Sequence, residues 1–415
     1  MATYRNLARR FPDTDAGRVG ERRSQPSALL GWNTILDNGP PENRVVIAVL
    51  GEGFTLNHQG AFDRQAANVP TFFERQATFR EYISYLNFVR VNLRSAEDGI
   101  DGFGREYDTA LGARMIGTDA GHVTVDRQQV FSTLAELPAH DDLAIVLVKL
   151  EMSGTGGGGM AVIGGRSERT IIHEWGHAFG GLSDEYATHT HDRGQASTGI
   201  NVSTTDDPKR VPWAHWIEAR ARRVGVYQGA AGQVRGAWKP TSSGCVMEDG
   251  EFFCVVCQEA LVLAIYRYVD PIESCEPPPA TRATKESLVL AEDVLELQVK
   301  VMQPASHGLE VHWYLMAPED VPADPLPRGR AAARRAARGP LLPIDVEPLE
   351  RTHPDRDGVH RFQLRARDLE PGRHRLICRA RDTTRLRGER LPWVLEDPLG
   401  LLESERGWWI VVPQQ

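Results

Sequence analysis

The sequence contains no run of eighteen apolar residues, so nothing in it reads as a membrane-spanning helix. Positive charge is not in surplus either. The formal charge is -8 with a pI near 5.9, which gives no global pull toward nucleic acid or an anionic membrane. Lysine is scarce: Lys149, Lys209, Lys239, Lys285 and Lys300 are the lysines, and the remaining basic residues are arginines. That skew is read as a coding bias rather than a function. Cysteine is sparse and odd in number, at five in 415 residues, which is not a disulfide framework. No Gly-Lys-Ser/Thr follows a glycine run, so there is no P-loop. No apolar segment follows the arginines of the first residues, so no secretory signal is read. Either the protein works where it is made or a leader has been removed; the sequence as it stands reads as cytoplasmic. What is present is ordinary for a globular chain, with 41% hydrophobic and 25% charged residues. The length suggests two or three domains.

Residues 1–43 are polar and read as an extended arm. Three apolar runs follow: Val45 to Leu50, Phe88 to Leu93 and Leu143 to Val148. Helix-like stretches from Phe62 to Ile83 and from Gln128 to Leu137 separate them. Strand, helix, strand, helix, strand predicts parallel pairing in an α/β domain, and near-continuous apolar strands fit burial on both faces. This domain is placed at residues 44–275. Residues 271–283 hold four prolines and read as a linker. Beyond it, short alternating strands at Leu295–Val301, Leu309–Leu315, His360–Ala366, His374–Ala380, Leu391–Leu395 and Trp408–Val412 predict an all-β sandwich over residues 284–415. The five arginines between Arg328 and Arg338 read as a solvated loop or short surface helix rather than a nucleic-acid patch.

Gly154, Gly156 and Gly159 match the spacing of a dinucleotide-binding loop. That fingerprint requires a helix opening directly on the glycines, and here a short strand intervenes. A loop before an edge strand is the better expectation, with glycine allowing another backbone to come close.

The chemistry is concentrated in His173-Glu174-Trp175-Gly176-His177, followed by Ala-Phe-Gly180-Gly181-Leu-Ser183-Asp184-Glu185-Tyr186. On a helix, residues four apart share a face, so both imidazoles can reach one metal ion. Glu174 lies beside them, where a carboxylate can take a proton from water activated by zinc. Thr170-Ile171-Ile172 leads in as an apolar approach, and the glycine pair ends the helix. The chain can then turn back and offer a third ligand. Ser183 stands at the position of the third histidine in the longer zincin pattern, and serine is a poor zinc ligand. Asp184, one residue on, is the preferred third ligand, with Glu185 behind it. Glu218 is the first candidate for a glutamate supplied by a later helix, and His189 or His191 is a further alternative to their plain role as surface residues.

With these residues in view, the chain resembles the M64 peptidases, also called the IgA peptidase family. The carriers are Gly51-Glu52-Gly53-Phe54-Thr55, the glycines at 154–159, and the segment from His173 to Tyr186. Pro212-Trp213-Ala214-His215-Trp216-Ile217 and Val224 to Ala230 follow. The last is Cys245-Val246-Met247-Glu248 with Phe253-Cys254-Val255-Val256-Cys257. Glu52 stands where the family's first loop usually has aspartate. The resemblance implies a zinc metallopeptidase of metzincin-like architecture, in an α/β (α+β) domain with a mixed, mostly parallel sheet, followed by an Ig-like sandwich. It implies His173 and His177 as zinc ligands, Glu174 as general base and Met247 as the Met-turn residue beneath the metal. It also implies that the run 156–163 is an edge strand receiving extended substrate, and it suggests a secreted protein.

Other readings accompany each of these. Met247 is also ordinary core filler, and Tyr186 is either a packed aromatic or a hydrogen-bond donor to a tetrahedral oxyanion. Cys245, Cys254 and Cys257 form a disulfide if exported, a structural zinc site with Cys275 as fourth ligand, or buried thiols; Cys378 reads as a buried thiol. The expected partner is a protein or peptide substrate, with no nucleic acid and no membrane span. The competing functions are a peptide-binding protein with a vestigial zinc site and a zinc hydrolase acting on a non-peptide amide.

Overall fold

A computed structural model describes residues 28–102, 104–116, 121–188, 198–279, 287–290, 294–316 and 347–414. The first part is a three-layer arrangement around a six-stranded sheet. Its strands are β1 (Leu29–Leu36), β2 (Val45–Glu52), β3 (Leu86–Leu93), β6 (Ala144–Val148), β7 (Thr155–Gly157) and β8 (Met160–Gly164). They lie in the order β1-β3-β2-β6-β8-β7. The four central strands pair in parallel, and each edge strand pairs antiparallel. The pleat explains the apolar runs. Val45, Ile47, Val49, Ile145 and Ile163 face one core, while Ala48, Leu50, Val146 and Val162 face the other.

Helices cover both faces. The first core is shared with α1 (Gln59–Arg75), α2 (Ala77–Glu81), α4 (Glu168–Gly180) and α6 (Val255–Ile265). The second is closed by α3 (Arg127–Leu134) with the small ribbon of β4 (Arg114–Ile116) and β5 (His122–Thr124). Between α4 and α6 the chain forms α5 (Ala214–Glu218) and the hairpin of β9 (Tyr227–Ala230) and β10 (Gln233–Lys239).

The C-terminal region has two sheets around one core. One contains β11 (Ile272–Glu276), β13 (Val294–Val301) and β16 (Val359–Arg365). The other contains β12 (Ser287–Val289), β14 (Glu310–Met316), β15 (Glu350–Thr352), β17 (Gly372–Arg381) and β18 (Glu403–Val412). Leu297, Val299 and Phe362 from the first sheet meet Trp313, Leu376 and Trp408 from the second.

Several expectations need correction. Leu29–Leu36 lies within the stretch read as an arm, yet it is strand β1, because an edge strand needs only one hydrogen-bonded neighbour. The long helix expected from Phe62 to Ile83 is broken at Gln76, whose backbone is extended (φ -83°, ψ 125°). The linker expected at 271–283 begins as β11, paired with β13. Leu391–Leu395 is not a strand. Its backbone N–H groups at Val394 and Leu395 go to the Thr384 hydroxyl and the Glu259 carboxylate, and Val394 packs into the core beneath the six-stranded sheet. The arginine insert, His189 and His191 lie outside the described residues.

The two regions meet through a buried polar knot. Asp382 accepts hydrogen bonds from Tyr82 (2.8 Å), Tyr266 (2.6 Å) and His307 (2.8 Å), and the other ring nitrogen of His307 meets Glu81 at 2.8 Å.

Candidate metal centre

Local sequence fixes α4 at both ends. The Ser167 hydroxyl accepts the N–H of Thr170, and Glu168 places a negative charge in the first turn. At the other end Gly181 adopts φ 64°, and Leu182 N–H returns to the Gly176 carbonyl at 3.1 Å. The left-handed residue reverses the chain, so residues 182–186 pass back beside the helix face that carries the histidines.

That reversal brings His173, His177 and Asp184 together. His173 Nε2 lies 3.2 Å from His177 Nε2, and Asp184 Oδ1 lies 3.0 Å and 3.1 Å from the two nitrogens. Both rings are held from behind. His173 Nδ1 donates to the Val246 carbonyl at 2.9 Å, and His177 Nδ1 donates to the Leu182 carbonyl at 2.7 Å. Backbone carbonyls only accept, so the Nδ1 positions carry the protons and the Nε2 lone pairs face the shared space. Three electron-rich atoms this close require a cation among them, either a proton or a metal ion. Asp184 reflects this: burial would raise its carboxyl, but the hydrogen bonds with His173 and His177 outweigh burial and hold it far below the usual carboxylate range. The side chains of His173, His177 and Asp184 are 15%, 16% and 30% exposed, so the centre is open to solvent on one side.

Glu174 is buried next to this group. Burial raises its carboxyl above the usual value, although the two imidazoles counteract part of that shift. The glycine run explains how the sheet edge approaches the helix. A Cβ at Gly154 would stand 2.7 Å from Glu174 Cγ, and one at Gly156 would collide with the Glu174 carbonyl. The expected edge strand over 156–163 is a hairpin instead: β7 is the edge, β8 lies inside it, and Gly158 and Gly159 turn between them at φ 55° and 87°. No helix opens on these glycines, which disposes of the dinucleotide reading.

Tyr186 lies over His173 with ring centroids 6.1 Å apart, and its hydroxyl bonds to Asp184. Met247 is fully buried below the helix; a Cβ on Gly176 would stand 2.6 Å from its sulfur. Glu185 points away from the histidines into a pocket with Cys245, Cys254 and Cys257, and burial pushes its carboxyl up to about 8. Ser183 and Glu218 are not in the donor group. Glu52 is also structural, taking the N–H groups of Leu111 and Ala113, both at 2.8 Å.

Two contributors were not foreseen. Asn201, fully buried, accepts from Ser183 N–H and donates to the Ser183 carbonyl (both 2.8 Å) and to Glu185 Oε1 (2.9 Å). It clamps the segment that carries Asp184. His122 meets the Gly154 carbonyl at 3.1 Å and lies within electrostatic reach of Glu174. Neither stands in a motif, and both depend on contacts distant in the chain.

Residues 34–222 match the family model described as IgA Peptidase M64. Over these residues the chain is similar to the M64 peptidase family. The M64 match takes in the whole of α4, Asp184, Glu185 and Asn201; Met247 and the cysteines lie beyond it. The match suggests a metallopeptidase, a hydrolase that would bind protein substrates. Among the described residues no helix is long and apolar enough to cross a membrane. No curated protein matches the chain significantly. Among solved structures, the endo-beta-1,4-mannanase from Thermotoga petrophila aligns at 9% identity and a TM-score of 0.15, over 65% of each chain. The chain thus spans 65% of that structure's length, and a likeness at this score supports no argument about fold or activity.

Proposed function

We propose that the chain is a zinc-dependent endopeptidase in which His173, His177 and Asp184 hold the metal and Glu174 is the general base. The observation that carries this reading is the convergence of the three donors, with separations of 3.0, 3.1 and 3.2 Å. A tetrahedral zinc ion bound by nitrogen and oxygen at about 2.0–2.2 Å needs neighbouring donors roughly 3.3 Å apart. The donor types fit as well, since two neutral imidazoles and one carboxylate form a common catalytic zinc set with a position left open. When bound, zinc would polarise the scissile carbonyl and lower the pKa of water to about 7.

The chain's own residues supply the rest. Val246 and Leu182 orient the rings, and Asn201 orients the Asp184 segment. Glu174 takes a proton from the attacking water and passes it to the leaving amine; its raised carboxyl makes it a better proton acceptor. Tyr186 supplies a hydroxyl donor beside the centre, suited to a developing oxyanion. Met247 packs under the helix as the floor of the site. Substrate lies along the open edge of β7 as an added strand, which requires an extended peptide and suits an endopeptidase. The C-terminal two-sheet region braces this domain through Asp382 and His307.

The test is proteolysis of an unfolded protein such as casein, before and after removal of metal by a chelator, with zinc added back. Cleavage that disappears with the chelator and returns with zinc supports the reading. A zinc-loaded protein that cleaves no component of a complex protein mixture would instead favour a binding role.

A further inference from the structure

A second cluster of metal-ligating atoms lies behind the first. Glu185, Cys245, Cys254 and Cys257 each offer one ligand atom, all within 4.8 Å of one another. Cys245 and Cys257 are buried at 1% and 0% exposure, and Glu185 at 0%. The spacing is that of a metal site rather than a bond between sulfurs. Cys245 Sγ lies 3.7 Å from Cys257 Sγ, and Cys257 Sγ lies 3.2 Å from Glu185 Oε1. Zinc bound to sulfur at about 2.3 Å in a tetrahedron sets sulfurs roughly 3.8 Å apart. A disulfide would require about 2.05 Å.

The surroundings suit thiolates. Cys254 is the N-cap of α6, an 11-residue helix, and Cys257 sits in its first turn. Unpaired N–H groups at a helix N-terminus favour negative sulfur. The backbone N–H groups of Cys254 and Met247 point at the Cys245 sulfur. The Cys254-x-x-Cys257 spacing is a common zinc-ligand pair. Asn201 and Thr241 hold the carboxylate of Glu185 at 2.9 Å and 3.5 Å, and fix which oxygen faces the sulfurs. Cys275 takes no part in this cluster; it lies in β11, paired with β13, so the fourth donor is Glu185.

We propose that Cys245, Cys254, Cys257 and Glu185 form a second, structural metal site that takes a thiophilic divalent ion, zinc. Four protein donors leave no open position, so the site holds structure and does no chemistry. The thiols release their protons as the ion binds. The ion ties three segments together: the residue after Asp184, the turn that carries Met247, and the start of α6. It therefore fixes the floor and one wall of the outer centre from behind.

The test uses the full chain and does not depend on activity. His173→Ala/His177→Ala protein, in which the outer centre is disabled and the cysteines are untouched, is loaded with Co²⁺ in place of zinc. The expected result is one bound cobalt per chain with intense near-ultraviolet thiolate-to-cobalt absorption. The same protein purified with zinc should retain one equivalent per chain, against two for the wild type. Cys257→Ser should lose the absorption, and Glu185→Gln should release zinc to a chelator faster. Absence of thiolate-to-cobalt absorption in the His173→Ala/His177→Ala protein would overturn the proposal. So would a Cys245–Cys254 or Cys245–Cys257 disulfide found by mass spectrometry of the unreduced wild type. Unchanged zinc retention in Glu185→Gln would remove Glu185 from the ligand set.

Discussion

The carbonyl of Met247 accepts the N–H of Glu185 at 2.7 Å. One backbone hydrogen bond thus joins the turn beneath α4 to the segment that presents Asp184. The same turn supplies Val246, whose carbonyl orients His173. The two histidines of the helix and Asp184 of the returning chain are therefore registered against one common support, and small shifts in that support are felt by all three.

Asn201 adds a side-chain hold on the same segment through Ser183 and Glu185. Asn201→Ala removes the two-way clamp on Ser183 and leaves buried backbone groups unpaired. We expect zinc affinity to fall by about 10–100-fold, as for lost outer partners of other metal ligands. Competition with a chromogenic chelator measures it, with circular dichroism confirming that the fold is intact. Unchanged affinity would show that Asp184 is held by other means.

The glycines of the sheet edge are expected to matter for packing rather than flexibility. A methyl at Gly156 meets backbone, the Glu174 carbonyl, which cannot move without displacing α4. Gly156→Ala should cost about 1–3 kcal/mol of stability and depress cleavage. Gly121→Ala, where nothing lies within 4 Å of the added carbon, should be neutral within about 0.5 kcal/mol. Denaturant titration of the two variants makes the comparison; equal stabilities would contradict the packing argument.

The polar knot between the regions predicts a loss of stability in alkali. Burial lowers the basicity of His307, but the hydrogen bonds with Asp382 and Glu81 outweigh it and raise its pKa to about 9. An unfolded histidine titrates near 6.5. The folded form thus holds its proton more tightly, so the contribution is complete below about pH 6.5 and is lost as pH rises through about 9. Urea midpoints measured between pH 6 and pH 10 should fall for the wild type. His307→Gln should be less stable at pH 6 by about 3 kcal/mol, the cost of breaking a buried pair, and should show a flatter profile. A wild-type midpoint constant over that range would refute the assignment.

The parts of this arrangement that were legible in the sequence are those encoded locally. The parallel strands at Val45–Glu52 and Ala144–Val148 are continuous apolar runs, and α4 carries its cap, its histidine spacing and its terminating glycines within one stretch. Asp184 could be singled out because the glycine turn leaves few residues able to reach back. What escaped depends on distant parts of the chain. β1 is an apolar segment at the end of a polar stretch, and it is a strand because it pairs antiparallel with the distant β3. Leu391–Leu395 is a short apolar run that resembles a strand, but the N–H groups of Val394 and Leu395 are taken by Thr384 and Glu259. Glu185 and Asp184 are adjacent in sequence with the same chemistry, and only the fold sends one to the histidines and the other to the cysteines.

The central claim is that Glu174 moves the proton in hydrolysis at a centre held by its two flanking histidines. Mapping of new protein N-termini in a proteome digest, comparing wild type with Glu174→Gln at equal zinc content, tests it most directly. The account predicts many new termini from the wild type and a rate lowered by about 10²–10⁴-fold in the variant, with zinc still bound. The same termini appearing at the wild-type rate from Glu174→Gln would contradict it.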